Sequence, residues 1–356
     1  MTPSSTSDGA AAAGPSAADL TPVAVGDIET ELARRWKAAA AEAGRPRLHS
    51  SALTLIACVE EEQDHQKVID AVEALAGKHP MRAIALHAAA ATPKGSVEAW
   101  IGAGCSGSDG SHSICSEEIV LEANAAEPER VLSAVQSLLV PDLPVFLWWR
   151  SCSPLGNVVF ERLEPLCSRI IVDSLRFGDG AQAVASMREI VKRFEARLTV
   201  RDLNWQRTEP WRNAIGVCFD DPLLLQLLPV FDRCSVTFAA AAGAEVPSAR
   251  SLLMAGWLTT RLGALRGTCT VAPGKHWPDI EPGRVVAISL TSSSSKASLV
   301  LVRQSAPTAI KAEAHDTDGT RFRSWLFQAA TVPEASLLDR CMDTLGRDRL
   351  FEAAVT

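Results

Sequence analysis

Tyrosine is absent from this 356-residue chain, which nevertheless carries nine tryptophans. No lysine or arginine precedes Arg34, so the first segment has neither the basic start of a secretory signal nor the Arg-rich character of a transit peptide. No apolar run approaches the roughly 18 residues of a membrane span. These absences make the expected compartment cytoplasmic, with no membrane partner. Basic residues form no stripe with interleaved aromatics, and the net charge is −7, which argues against a nucleic-acid partner. No CxxC pair occurs, and the cysteine and histidine spacings fit no zinc site. There is no GxSxG elbow, HExxH pair or Walker loop either. No catalytic residue, metal ligand or cofactor follows from the sequence.

The length points to more than one domain. Residues 1–27 are rich in Ala, Ser, Pro, Gly and Thr and read as a disordered tail. Residues 28–176 alternate strand and helix patterns. Ala52 to Val59 is an apolar strand, and Val68, Ile69, Val72, Leu75 and Ala76 recur with helical period. Arg82 to His87 is the next strand, Val97 to Gly102 and Ile114 to Ala123 form a hairpin, and Pro128 opens a helix. Val145 to Trp149 is a further buried strand, and Arg169 to Ser174 is another that ends in polar residues. The expected class is α/β, a Rossmann-like doubly wound sheet. Residues 177–356 read as an α+β domain with an antiparallel sheet over Val285–Leu290, Ala297–Arg303 and Ala309–Ala314. A single helix from Pro333 to Phe351 is expected to close the chain.

Most local motifs do not carry chemistry. Gly102-Ala103-Gly104-Cys105-Ser106-Gly107 spells GxGxxG, but no helix pattern follows to receive a pyrophosphate, so it reads as a loop. Asp64-His65 lies on a polar helix face and is expected in solvent, and His276 falls in a loop. The turn from Gly77 to Arg82 gathers Lys78, His79 and Arg82, suited to a phosphate or a partner carboxylate, or simply to ending a helix. The odd count of nine cysteines suggests mostly small buried hydrophobes. Cys105 and Cys115 differ, because they flank a Gly/Ser/Asp-rich loop that lets them approach; they are the candidates for a regulatory disulfide, with thioredoxin as a possible second partner.

Two segments stand out. In Pro141-Asp142-Leu143-Pro144-Val145-Phe146-Leu147-Trp148-Trp149-Arg150, prolines stiffen the entry to an apolar strand that ends in two indoles and a guanidinium. The second is Trp205-Gln206-Arg207-Thr208-Glu209-Pro210-Trp211-Arg212. Trp and Arg are the residues that most often anchor interfaces, and they are also core and cation–π residues, so both readings stand.

The decapeptide resembles the hallmark of the glucose-6-phosphate dehydrogenase assembly proteins, the OpcA family of cyanobacteria and actinobacteria. Lys78 to Ile84, Arg169 to Ser174, and Asp202–Trp205 through Pro210–Arg212 resemble that family's further segments, in the same order. Met81 and Ser151 depart from the usual Ser and Gly. The resemblance implies a non-catalytic protein that binds glucose-6-phosphate dehydrogenase and favours its assembly or its active, high-affinity state. Trp148, Trp149, Arg150, Trp205, Trp211 and Arg212 are then the candidates at or beneath the partner interface. The alternative is an enzyme or sensor that binds a sugar phosphate or nucleotide at the carboxyl edge of the α/β sheet.

Overall fold

The computed structural model describes residues 20–43, 48–49, 51–61, 64–90, 92–106, 114–240, 246–262, 269–274, 280–304, 309–344 and 346–356. The chain divides into two compact units. The first runs to Trp148 and takes in Asn157–Cys167; the second is Trp149–Gly156 with Ser168–Thr356. The class is α/β followed by an α+β part with a mostly antiparallel sheet, as the strand and helix patterns indicate.

In the first unit, β1 (Thr21–Val23) precedes α1 (Ile28–Ala43), and β2 is the pair Leu48–His49. There follow β3 (Leu53–Val59), α2 (Asp64–Leu75), β4 (Met81–Ala89), β5 (Val97–Ser106), β6 (Ile114–Asn124), α3 (Pro128–Ser137) and β7 (Val145–Trp149). The strand order is β1-β5-β6-β4-β3-β7, with β2 on β6. β3, β4 and β6 are parallel neighbours, and β5 and β6 form the antiparallel hairpin. All residues of β3 are buried, as an unbroken apolar run in a parallel strand requires. α4 (Val158–Leu163) is set by Asn157, whose Oδ1 accepts from the Val159 and Phe160 amides at 3.0 Å each.

Composition misreads the start of the described chain. Thr21–Val23, inside the expected tail, pairs with Ala99–Ile101 as an edge strand, and a 3-10 turn at Val25–Asp27 leads into α1. Residues 1–19 of that tail lie outside the described residues. The expected loop is also shorter, because Gly102–Ser106 continues strand β5. Gly102 is needed there: a Cβ would stand 3.1 Å from Leu20 and 3.2 Å from the buried carboxyl of Glu118.

The second unit opens with a β-α-β crossover. β8 (Arg169–Val172) and β9 (Thr199–Asp202) are parallel, joined by α5 (Gly180–Phe194). Then come α6 (Leu203–Gln206), α7 (Glu209–Phe219), α8 (Pro222–Leu227), β10 (Arg233–Phe238), α9 (Ala249–Arg261) and β11 (Cys269–Pro273). β12 (Val285–Thr291), β13 (Ser298–Arg303), β14 (Ala309–His315) and β15 (Arg321–Gln328) form the meander. The six-stranded order is β11-β10-β12-β13-β14-β15, antiparallel except for the β10–β11 pair. Alternation along β13 and β14 sends Leu299, Leu301, Ile310, Ala312 and Ala314 into a core shared with Trp211, Phe231, Met254 and Leu258.

The single closing helix is two. α10 (Glu334–Asp343) and α11 (Arg349–Val355) are separated at Gly346, which has φ +68°. The last carbonyls of α10 are taken by buried guanidiniums. Arg169 Nη1 donates to Cys341 O at 2.6 Å and Nη2 to Thr344 O at 2.9 Å, and Arg201 Nη2 donates to Gly346 O at 2.6 Å. Asp348 restarts the helix by accepting from the Phe351 amide at 3.0 Å.

Candidate functional site

Two prolines and a left-handed residue shape the decapeptide. Asp142 has φ +63°, unusual for a residue with a side chain and at home in a tight turn for Asp. Pro144 O accepts from the Thr54 amide at 3.0 Å, which fixes the entry to β7. Trp148, Trp149 and Arg150 are all buried, with Trp148 fully enclosed. Trp149 Nε1 donates to Cys152 O at 2.9 Å, and Arg150 Nη2 reaches the Glu334 carboxylate at 3.0 and 3.3 Å. Of the two readings left open by the sequence, core is where these side chains lie.

The second constellation is also interior. Trp205 and Trp211 are buried, and Trp205 Nε1 donates to Asp348 Oδ2 at 3.0 Å. The Arg212 guanidinium lies 3.8 Å from the Trp205 ring centre and donates Nε to Thr208 Oγ1 at 3.1 Å. Burial pushes the Arg212 guanidinium down to about 10. Arg212 is half-buried, the least enclosed of the six. Five of the six are thus buried in the interior.

Sequence reading missed the polar knot at the ends of β8 and β9. Val172 and Asp202 are register partners, so the two strand ends bring Asp173, Ser174, Asp202 and Asn204 together. Asp202 Oδ1 accepts from the Ser174 and Asn204 amides at 2.9 Å each, and Oδ2 accepts from Ser174 Oγ at 2.7 Å. Burial, then the neighbouring Asp173 carboxylate, raise Asp202 to about 6 against those hydrogen bonds. Asp173 holds Arg207 in a two-point contact at 2.6 and 2.8 Å. Asn204 Nδ2 donates to Ser174 Oγ at 3.1 Å and its Oδ1 accepts from Arg250 Nε at 3.1 Å. The available signal was an Asp at each strand's exit, Asp173 just after β8 and Asp202 at the end of β9, each capping the turn that follows.

Other expectations need correction. His65 is buried, not solvated: its ring meets His87 edge-on at 5.9 Å, and burial pushes it down to about 4. Asp64 is buried as well. Arg82 is not held out for a ligand, because it is buried and donates Nε to Glu117 at 2.6 Å and Nη1 to Leu138 O at 3.0 Å. His276 and Gly107 lie outside the described residues. Burial raises Cys167 and Cys218 to about 12 and moves Cys58 and Cys341 upward too, as for inert interior thiols. The β5–β6 backbone register sets Cys105 directly opposite Cys115. Cys234 and Cys269 also face each other across β10 and β11, with sulfurs 2.8 Å apart, a pairing that no spacing in the sequence signals.

Residues 72–189 match the family model described as glucose-6-phosphate dehydrogenase subunit N-terminal domain, and residues 198–355 match its C-terminal counterpart. The putative OxPP cycle protein OpcA of Nostoc punctiforme is 33% identical over 190 residues, covering 53% of this chain and 39% of that protein. Its namesake in Synechocystis is 29% identical over 192 residues, 53% of this chain and 38% of that protein. The chain therefore spans about two fifths of the length of these relatives. Among solved structures, an NAD binding oxidoreductase from Klebsiella pneumoniae aligns with TM-score 0.41 and 11% identity, over 86% of this chain and 94% of its own. The two family models lie end to end over most of the sequence, and the chain belongs to the OpcA family.

Proposed function

We propose that this chain is a non-catalytic assembly subunit of glucose-6-phosphate dehydrogenase, acting in the oxidative pentose phosphate pathway and holding the enzyme in its active, high-substrate-affinity arrangement. The observation that carries this reading is the match of both halves to domains described as parts of a glucose-6-phosphate dehydrogenase subunit. Such a protein shifts the enzyme only by binding its active arrangement better than its inactive one. Reversing a 1:99 balance takes about a 10⁴-fold difference in affinity.

Trp148, Trp149, Arg150, Trp205 and Trp211 support this role from below the surface, and Arg212 from its half-buried position on Trp205. Redox tuning belongs to the same reading. A Cys105–Cys115 disulfide would lock the β5–β6 hairpin, and thioredoxin would reopen it. Support for this pair comes from their facing positions in the hairpin register.

The test is a glucose-6-phosphate titration of the cognate dehydrogenase with and without the chain, beside a mass measurement of the mixture. A saturation curve displaced to lower substrate together with a stable complex is the expected result. No complex and an unmoved curve would remove the functional content of the family membership.

A further inference from the structure

Four arginines from distant parts of the second unit converge on one cavity of about 200 Å³. Arg207 follows α6, Arg250 opens α9, Arg284 precedes β12 and Arg303 ends β13. Trp211 forms part of the wall, and among the described lining residues Glu281 is the carboxylate. The floor is deep: Arg250 is 6% exposed and Arg303 8%. The rim is open at Glu281 and Thr331, where Arg284 donates to Thr331 Oγ1 at 3.2 and 3.3 Å.

The charges do not cancel. Arg207 is neutralised by Asp173. Arg284 Nε lies 3.6 Å from Glu281, whose side chain is 59% exposed. Arg250 makes its one hydrogen bond among the described residues to a neutral amide, Asn204 Oδ1. A cation taken out of water without a carboxylate in contact is expensive. Arg250 shows the expense: burial, then repulsion from Arg207 and Arg284, push it down to about 10. Burial and Arg284 lower Arg303 as well. At Arg250 the fold keeps a buried cation with no carboxylate in contact among the described residues, inside a molecule whose net charge is −7.

We propose that this cavity is a binding site for a phosphate monoester dianion. Guanidinium forks match phosphate oxygens two at a time, and a monoester carries about −1.5 to −2 charge with three acceptor oxygens near pH 7. A lone carboxylate brings half that charge and one acceptor pair. Liquid water takes about 30 Å³ per molecule, so the cavity has room for a tetrahedral group and a short organic body, not for a polymer. The apolar wall at Trp211 suits the uncharged body of the ligand. The site lies in the second unit and does not depend on the dehydrogenase reading.

The experiment is calorimetric titration of the full chain with inorganic phosphate and with glycerol 1-phosphate, using acetate and citrate at matched ionic strength as carboxylate comparators. Saturable binding of the phosphates, with a rise in melting temperature, is the expected result. Arg284→Gln, at the cavity mouth, weakens it about tenfold or more, as loss of a charge-assisted contact does, without lowering the phosphate-free melting temperature. Arg250→Lys, which keeps charge but loses the fork, weakens it too. Arg347→Gln removes a charge paired with Glu352 elsewhere and leaves binding unchanged. Absence of saturable phosphate binding, tighter binding of citrate, or equal losses in Arg284→Gln and Arg347→Gln would each overturn the proposal.

Discussion

Glu118 and Trp205 show how far a side chain's neighbours, rather than its type, set its behaviour. Glu118 is buried on β6, where burial foremost, then Glu73 and Asp70, raise it to about 8. Between its ordinary value near 4.5 and 8 the folded state binds the extra proton. The stability this contributes is full below pH 4.5 and is lost as pH rises through 8. Glu118→Gln keeps the shape without the titration. Denaturant unfolding at pH 5, 6.5 and 8 should show a stability decline in the parent that is flattened in the variant; parallel declines would refute the assignment. Trp205→Phe keeps a ring in the core but loses the bond to Asp348 and part of the platform under Arg212. Because Asp348 also caps α11, the expected cost is about 1–3 kcal/mol, read from the urea midpoint. The sequence marks Trp205 as special yet cannot say that its indole faces inward, since that depends on Asp348 and Phe351, more than 140 residues away.

At the scale of elements, the strands and helices with strong patterns are where their apolar periodicity places them. β3, β7, β8, α2 and the β12–β14 meander fall in this group. The misses are weakly patterned pieces. β15 exposes alternate residues including Leu326, as an edge strand does, so no apolar run announces it. β9 is four residues long, too short for a period of two to stand out. The break between α10 and α11 is imposed by Arg169 and Arg201 seizing carbonyls, which helix periodicity does not register. Helix contacts give a sharper test. α9 packs on α11 with Gly256 at the crossing, where a Cβ would meet Ala354 O at 2.1 Å. Gly256→Ala should therefore separate the helices and cost about 1–3 kcal/mol, as overpacking does. Proteolysis should release the C-terminal segment earlier than in the parent; an unchanged digestion pattern would mean the crossing yields easily.

For the whole molecule, the proposed function combined with the burial of the tryptophan and arginine signature predicts that these residues act indirectly. If the six residues work by positioning, Trp205→Phe should reduce dehydrogenase activation in step with its loss of stability. A fully folded Trp205→Phe that has lost activation would instead place the indole in direct contact with the enzyme. The measurement is the shift in the glucose-6-phosphate saturation curve over a temperature series that runs from full folding of Trp205→Phe into its unfolding transition, with the parent alongside. Among the described residues no helix is long and apolar enough to cross a membrane.

The amino-acid order alone determined the α/β and α+β classes, because burying one face of a helix or strand leaves a period of 3.6 or 2 in the chain. It also determined the family, because the decapeptide and its companion segments are contiguous strings. Only the tertiary structure decided that the indoles are interior, that Asp202 and Glu118 share their surroundings with other acids, and that four arginines between residues 207 and 303 enclose one cavity. Electrostatic energy depends on distance through space, and a chain that folds back on itself brings together charges that its sequence keeps far apart.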